Sequence, residues 1–100
     1  MEIGNFKMHR RARMAFQQLE ADEQARVRER LMSFGDAPAA QWPAALAWRL
    51  RGEQPRYLVP VDDSLRLIVG ADDGQPPEVL DIVRQETLDF MAQADAKAGA

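Results

Sequence analysis

Five arginines are the residues of this chain best suited to chemistry. Arg49, Arg51, Arg56 and Arg66 fall in the stretch RLRGEQPRYLVPVDDSLRLIVGAD, and Arg84 closes the later stretch EVLDIVR. A guanidinium is planar, keeps its charge throughout the physiological pH range and offers parallel N–H donors that match a phosphate or a carboxylate. Such groups hold an anion and lower the cost of a developing oxyanion, but they do not move protons. Proton transfer near neutral pH needs a second kind of side chain at the same spot. The one histidine, His9, starts the first predicted helix and is read as incidental. The one tyrosine, Tyr57, falls on a strand face assigned to the core, which leaves Glu53 and Glu86 as acid–base candidates. The same arginines also suit plain surface ion pairs, Arg66 and Arg84 with Asp62, Asp81 or Glu86.

Composition bounds what such a set can serve. At 100 residues, 46% hydrophobic and 29% charged, the chain is sized for one globular domain, residues 1–100. The net charge is −3 and is unevenly spread: residues 1–66 hold 11 basic against 9 acidic side chains, residues 67–100 hold 2 against 7. A basic surface is therefore available only to the first two thirds, and nucleic-acid binding is permitted without being announced. Cysteine is absent, which removes disulfides, thiolate metal sites and a thiol nucleophile, so no metal or cofactor is expected. No apolar run is long enough to span a bilayer or to serve as a secretory leader, and a cytoplasmic location is expected.

The elements that must position the arginines follow from hydrophobic period. Residues 3–8 (IGNFKM) read as a weak strand, with Gly4 and Asn5 against it. Ala12, Ala15, Phe16 and Leu19 recur at helical spacing and predict a helix over 10–19. Val27, Leu31 and Phe34 predict a second over 22–34, with Asp22 as N-cap and Gly35 as the stop. The arginines at 10, 11, 13, 26, 28 and 30 fall to the solvated faces. Trp42 and Trp48 are read as packing residues, although an exposed tryptophan would mark a partner site.

Alternation then replaces the helical period. Tyr57, Val59 and Val61 form one strand, Leu65, Leu67 and Val69 the next, with the turn DDS between them, and EVLDIVR a third after DDGQPP. Pro60 lacks an N–H, so its strand must lie at an edge or carry a bulge there. With the 72–77 turn centred near Gly74, Arg66 is expected opposite Ile82. Arg84 then becomes its diagonal neighbour, both pointing away from the core, while Val79 and Val83 face the helices. A last helix from Glu86 carries a thin stripe of Leu88, Met91 and Ala92 and is expected to fray beyond about residue 93. The order β-α-α-β-β-β-α predicts an α+β fold: a strand and a two-helix hairpin packed on a mostly antiparallel sheet.

In this order, FKMHRRARMAFQQLEADEQARVRERL, LRG at Leu50–Gly52, LRLIV at Leu65–Val69 and VLDIVRQE at Val79–Glu86 resemble the RelE/ParE superfamily of toxins from bacterial type II toxin-antitoxin pairs. The resemblance covers residues 6–91. It implies a cognate antitoxin as partner, folding over the exposed sheet face and the helical hairpin. In the family's ribosome-dependent members, basic residues on the sheet hold messenger RNA and stabilise the scissile phosphate. By position Arg66 and Arg84 match the catalytic arginine and the basic residue ending the last strand, and Arg51 the basic residue of the L-K-G motif. Arg49 and Arg56 widen the RNA-binding patch. The family's glutamate two residues before that motif falls on Trp48, and Gln85 and Glu86 stand where a His-Tyr or Arg-Tyr pair would follow the last strand. Three readings stay open: an mRNA endonuclease working on the ribosome, a ParE-like toxin binding a protein such as DNA gyrase, and a non-toxic binding module.

Overall fold

The computed structural model describes residues 2–89. Its elements are β1 (Glu2–Ile3), β2 (Phe6–Met8), α1 (Arg10–Gln17), α2 (Ala21–Ser33), a 3₁₀ turn (Ala39–Gln41), β3 (Trp48–Arg49), β4 (Arg56–Pro60), β5 (Leu65–Gly70) and β6 (Glu78–Arg84), and residues 85–89 are helical. The strands make one mixed sheet in the order β1-β2-β6-β5-β4-β3, antiparallel except where β2 runs parallel to β6. This is the α+β architecture expected, with two short strands added. The tail expected to fray, 93–100, lies outside the described residues.

The weak N-terminal strand is in fact a hairpin. Ile3 pairs with Phe6, and Gly4 between them has φ +57°. That conformation is easy for glycine and costly for a residue with a Cβ, so the residue that weakens a single strand makes the turn between two.

Both helices end where local chemistry ends them. α1 begins after His9, whose Nδ1 accepts the Arg11 N–H at 3.2 Å, so the histidine read as incidental is the helix cap. α2 starts one residue earlier than expected, with Glu20 rather than Asp22 as its N-cap. Glu23 reaches back to accept the Glu20 N–H at 3.1 Å, half of a capping box. Phe34 follows the last turn, and Gly35, at φ +59°, releases the chain. Gln24 Nε2 donates to the Phe16 carbonyl at 2.8 Å, and the Arg28 guanidinium lies 5.0 Å from the Phe16 ring centre, which ties the two helices together.

The core lies between the helices and one sheet face. Ala12, Phe16, Val27 and Leu31 of the helices meet Phe6, Val59, Leu65, Leu67, Val69 and Val79 of the sheet, all buried. Burying a side chain of this size stabilises the fold by about 1.5–3 kcal/mol. Pro60 stands where its missing N–H does no harm. Val61 N–H bonds back to Leu65, so position 60 faces the β3 side, and β3 reaches only as far as Leu58.

One residue changes the expected register. Val69 pairs with Val79 but Ile68 with Asp81, so Leu80 is an extra residue that bulges β6. Beyond it Leu67 faces Ile82, Arg66 faces Val83 and Leu65 faces Arg84. Residues opposite one another share a face, so Ile82, not Val83, joins the core, and Arg84 turns to the helix side with Leu65.

Candidate functional site

That bulge separates the two arginines expected to stand side by side. Arg66 projects from the sheet face opposite the helices, whereas Arg84 projects beneath α2. There its Nη1 donates to Glu23 Oε2 at 3.0 Å and its Nη2 to Glu23 Oε1 at 3.4 Å. The Arg84 hydrogen bonds, with the Glu20 N–H behind them, hold the Glu23 carboxyl below the usual glutamate value, and Glu23 in turn raises the Arg84 guanidinium. Glu23 is buried. A guanidinium bound through both Nη groups to a buried carboxylate is a strut between helix and sheet, and that edge of Arg84 is taken by Glu23.

Arg66 is spent mostly on its own turn. Its Nη1 donates to the carbonyls of Asp62 and, at 3.0 Å, Leu65, while its buried Nε has no partner among the described residues. The Asp62 side chain organises the same turn from the other side. Its Oδ1 accepts the N–H groups of Ser64 and Leu65, both at 2.8 Å, and its Oδ2 accepts from Arg26 Nε of α2 at 2.8 Å. Burial alone would raise this carboxyl, but the hydrogen bonds from Ser64, Leu65 and Arg26 prevail and hold it down to about 2.

A pH prediction follows from that balance. The folded value lies below the unfolded one, about 3.9, so the stabilisation is complete above the unfolded value and is lost as pH falls from about 4 towards 2. Thermal unfolding followed by circular dichroism should show a steep acid limb in this window for the native chain. The limb should flatten in Asp62→Asn, which starts from a lower melting temperature near neutrality. Parallel acid limbs for both proteins would show that Asp62 does not carry the effect.

The remaining basic residues are scattered. Arg49, exposed on β3, curls onto its own loop, donating to the carbonyls of Leu50 and Gly52. Arg51 is exposed in the loop after β3. Arg56 lies half-buried across Gly70 on the face opposite the helices, donating to Gln54 Oε1 at 2.7 Å with Asp72 3.9 Å away. A Cβ at position 70 would stand 2.9 Å from its Nη1, so the glycine is what lets the guanidinium lie flat there. Register puts Arg56 four residues along the sheet from Arg66, about 13 Å at the usual rise of a strand. Arg56 and Arg66 therefore share a face without sharing a ligand atom. Of the proton carriers, His9 caps α1 and Tyr57 faces the core, its ring edge-on to Trp42, while Glu53 in the loop after β3 and Glu86 in the helical segment after β6 are exposed and enter no ion pair among the described residues.

What the face presents between these two arginines is mostly apolar, with one carboxylate, Asp81, opposite Ile68. Leu58, Ile68, Leu80, Pro60 and Val83 are half-buried on it. Trp48, cross-strand from Leu58, is 50% exposed and is not the packing residue expected. Among the described residues α1 and α2 both lie on the other side of the sheet. An apolar strip with a protruding tryptophan and a guanidinium at each end is suited to a partner with an apolar stripe and acidic flanks.

The sequence reading missed the Glu23–Arg84 strut, the tie from Asp62 to Arg26 of α2 and the separation of the arginines. Only the first had a local signal, the Glu20-x-x-Glu23 spacing at the start of α2.

Comparison with known proteins places this architecture. No family model and no curated protein matches the sequence. Among solved structures, a chain of the archaeal RelE-RelB complex from Pyrococcus horikoshii OT3 is similar at 15% identity with a TM-score of 0.58, over 84% of this chain and 97% of that one. The β-β-α-α-β-β-β-β order, the helical hairpin on one sheet face and this superposition together establish a RelE-like fold.

Proposed function

We propose that this chain, as one RelE-like domain, is the toxin component of a toxin-antitoxin pair. In this reading it works in the cytoplasm by binding a protein target, such as DNA gyrase, rather than by cutting RNA, and its antitoxin lies across the sheet face opposite the helices. The observation that carries the reading is the make-up of that face: an apolar strip from Trp48 through Leu58 and Ile68, with Arg56 and Arg66 at its ends. Disordered acidic partners wrap such surfaces, contributing apolar anchors and neutralising the guanidiniums. The similar archaeal chain comes from a two-protein complex, which supports a partner of this kind. RNA cleavage would call on Arg84, which is bound to Glu23, and on a proton carrier beside Arg66, where neither His9 nor Tyr57 stands.

The test is expression without the genomic neighbour, with growth, translation and messenger ends followed together. Growth arrest with intact messengers is expected, relieved by coexpressing the neighbouring reading frame. Codon-phased messenger cuts abolished by Arg66→Ala would replace this reading with the ribosome-dependent nuclease. Unimpaired growth at good expression would leave only a non-toxic binding module.

A further inference from the structure

We propose that Asp81 selects the partner on the sheet face opposite the helices: the segment that docks there carries a lysine or arginine at one end of its apolar stripe, placed to meet this carboxylate. The selection rests on the docking face proposed above and adds a charge that the partner must bring.

Register orders that face into rows. Trp48 pairs with Leu58, Leu58 with Ile68 and Ile68 with Asp81, so three apolar side chains and one carboxylate cross four neighbouring strands in line. Arg56, Gly70, Glu78 and Lys7 make the row on one side, and Pro60, Arg66 and Val83 the row on the other. The bulge at Leu80 puts Asp81 in its row. An unbroken ladder from the Val69–Val79 pair would set Asp81 opposite the buried Leu67, on the core face, and the extra residue turns it outward.

What Asp81 lacks is a counter-charge. Glu78, the other carboxylate in these rows, has Lys7 opposite it on β2. β2 stops pairing at Met8 with Val79, so no residue of β2 stands opposite Asp81, and its neighbour on β5 is Ile68. Arg66 is its diagonal neighbour one row on, but that guanidinium donates to the Asp62 and Leu65 carbonyls, and Asp81 enters no ion pair among the described residues. Asp81 is half-buried, its Oδ1 accepting the Ile82 N–H at 2.9 Å. A partner that covers Trp48, Leu58 and Ile68 takes water from this carboxylate, and a charge desolvated without a counter-charge opposes binding. An ammonium or guanidinium on the partner reverses the sign. One residue thus favours the right chain and rejects a chain with an apolar or acidic side chain at that point. The row spans about 14 Å at the usual strand spacing, so in a helical partner crossing the strands the basic residue stands about 9–10 residues from the one on Trp48.

The probe is the protein of the neighbouring reading frame, with affinities from surface plasmon resonance. Asp81→Asn keeps an oxygen for the Ile82 N–H and removes the charge, and it should weaken the complex about tenfold, Asp81→Lys about 100-fold or more. When the partner's lysines and arginines are changed to glutamate one at a time, one change should restore binding to Asp81→Lys by about tenfold or more while weakening the native pair. Leu58→Asp, measured alongside, separates two failures. If it binds as the native chain does, or if the native chain does not bind this protein, the docking face is wrong and the selection falls with it. If Leu58→Asp loses binding while Asp81→Asn stays within about threefold of the native chain, or no partner change rescues Asp81→Lys, the face stands and selection by Asp81 is overturned. Should Asp81→Lys fail to fold by circular dichroism, double-mutant cycles between Asp81→Asn and each basic-to-glutamine change in the partner decide: one pair must be non-additive, and additivity throughout overturns the selection.

Discussion

Replacing Trp42 with alanine is expected to destabilise the fold by about 3–5 kcal/mol, the usual cost of emptying a large aromatic site in a core. The reason lies in what the ring holds. Trp42 touches Phe6 of the N-terminal hairpin, Phe34 at the end of α2 and Tyr57 of β4, and its Nε1 fixes the Ala37 carbonyl. The segment from Gly35 to Ala47 has little regular structure of its own, so this one side chain fastens it to three elements. Trp48→Ala is the internal control. That ring is 50% exposed on a two-residue strand, and its loss should cost under about 1 kcal/mol. For a chain of this size the difference amounts to at least about 8 °C in melting temperature, at about 4–8 °C for each kcal/mol. Urea denaturation of both variants, read by circular dichroism, makes the check. A Trp42→Ala protein within 1 kcal/mol of the parent would mean that the aromatic cluster does not hold the connecting segment.

The two tryptophans also show where the sequence was legible. Both sit among alanines and prolines, and nothing local separates the buried one from the exposed one. Their difference arises when β3 pairs with β4 and turns Trp48 to the face that the helices leave open. Period and turn chemistry, by contrast, are local, and they gave the helical hairpin, the Asp62–Ser64 turn and all three long strands nearly to the residue. The candidate site suffered from a long-range count. Placing Arg66 opposite Ile82 assumed an unbroken ladder from the 72–77 turn, and the single extra residue at Leu80 shifted every pair beyond it by one.

That shift decides what the arginines can do. Without the bulge, Arg84 would have joined Arg66 on the outer face. With it, Arg84 lies beneath α2 with Glu23 and serves the packing of helix on sheet, while the outer face keeps only Arg56 and Arg66, held apart by Leu58 and Ile68. Two guanidiniums separated by an apolar strip are poorly arranged to grip one phosphate and well arranged to flank an apolar contact. The change from the expected phosphate site to the proposed docking face thus comes from one inserted side chain, with the identity of every arginine as the sequence has it.

The docking face leads to the second large effect, which rests on the proposed antitoxin. Leu58→Asp should lower affinity for the coexpressed partner by 100-fold or more. The substitution adds a carboxylate in the same row as the native Asp81, across Ile68, and an uncompensated charge buried in an interface costs about 3–5 kcal/mol. Leu58 is half-buried and lies between Trp48 and Ile68, so its loss should cost the fold much less than it costs the complex. Arg56→Ala should behave differently. It removes a charge from the end of the strip, and the expected signature is slower association and a weaker dependence on salt, with dissociation little changed. Surface plasmon resonance on the purified pair at two salt concentrations separates the two: the Leu58 variant should dissociate faster and the Arg56 variant should associate more slowly. A folded Leu58→Asp protein that binds within tenfold of the parent would move the partner off this face, leaving the helical hairpin, with its exposed Met14 and Met32, as the surface to test next.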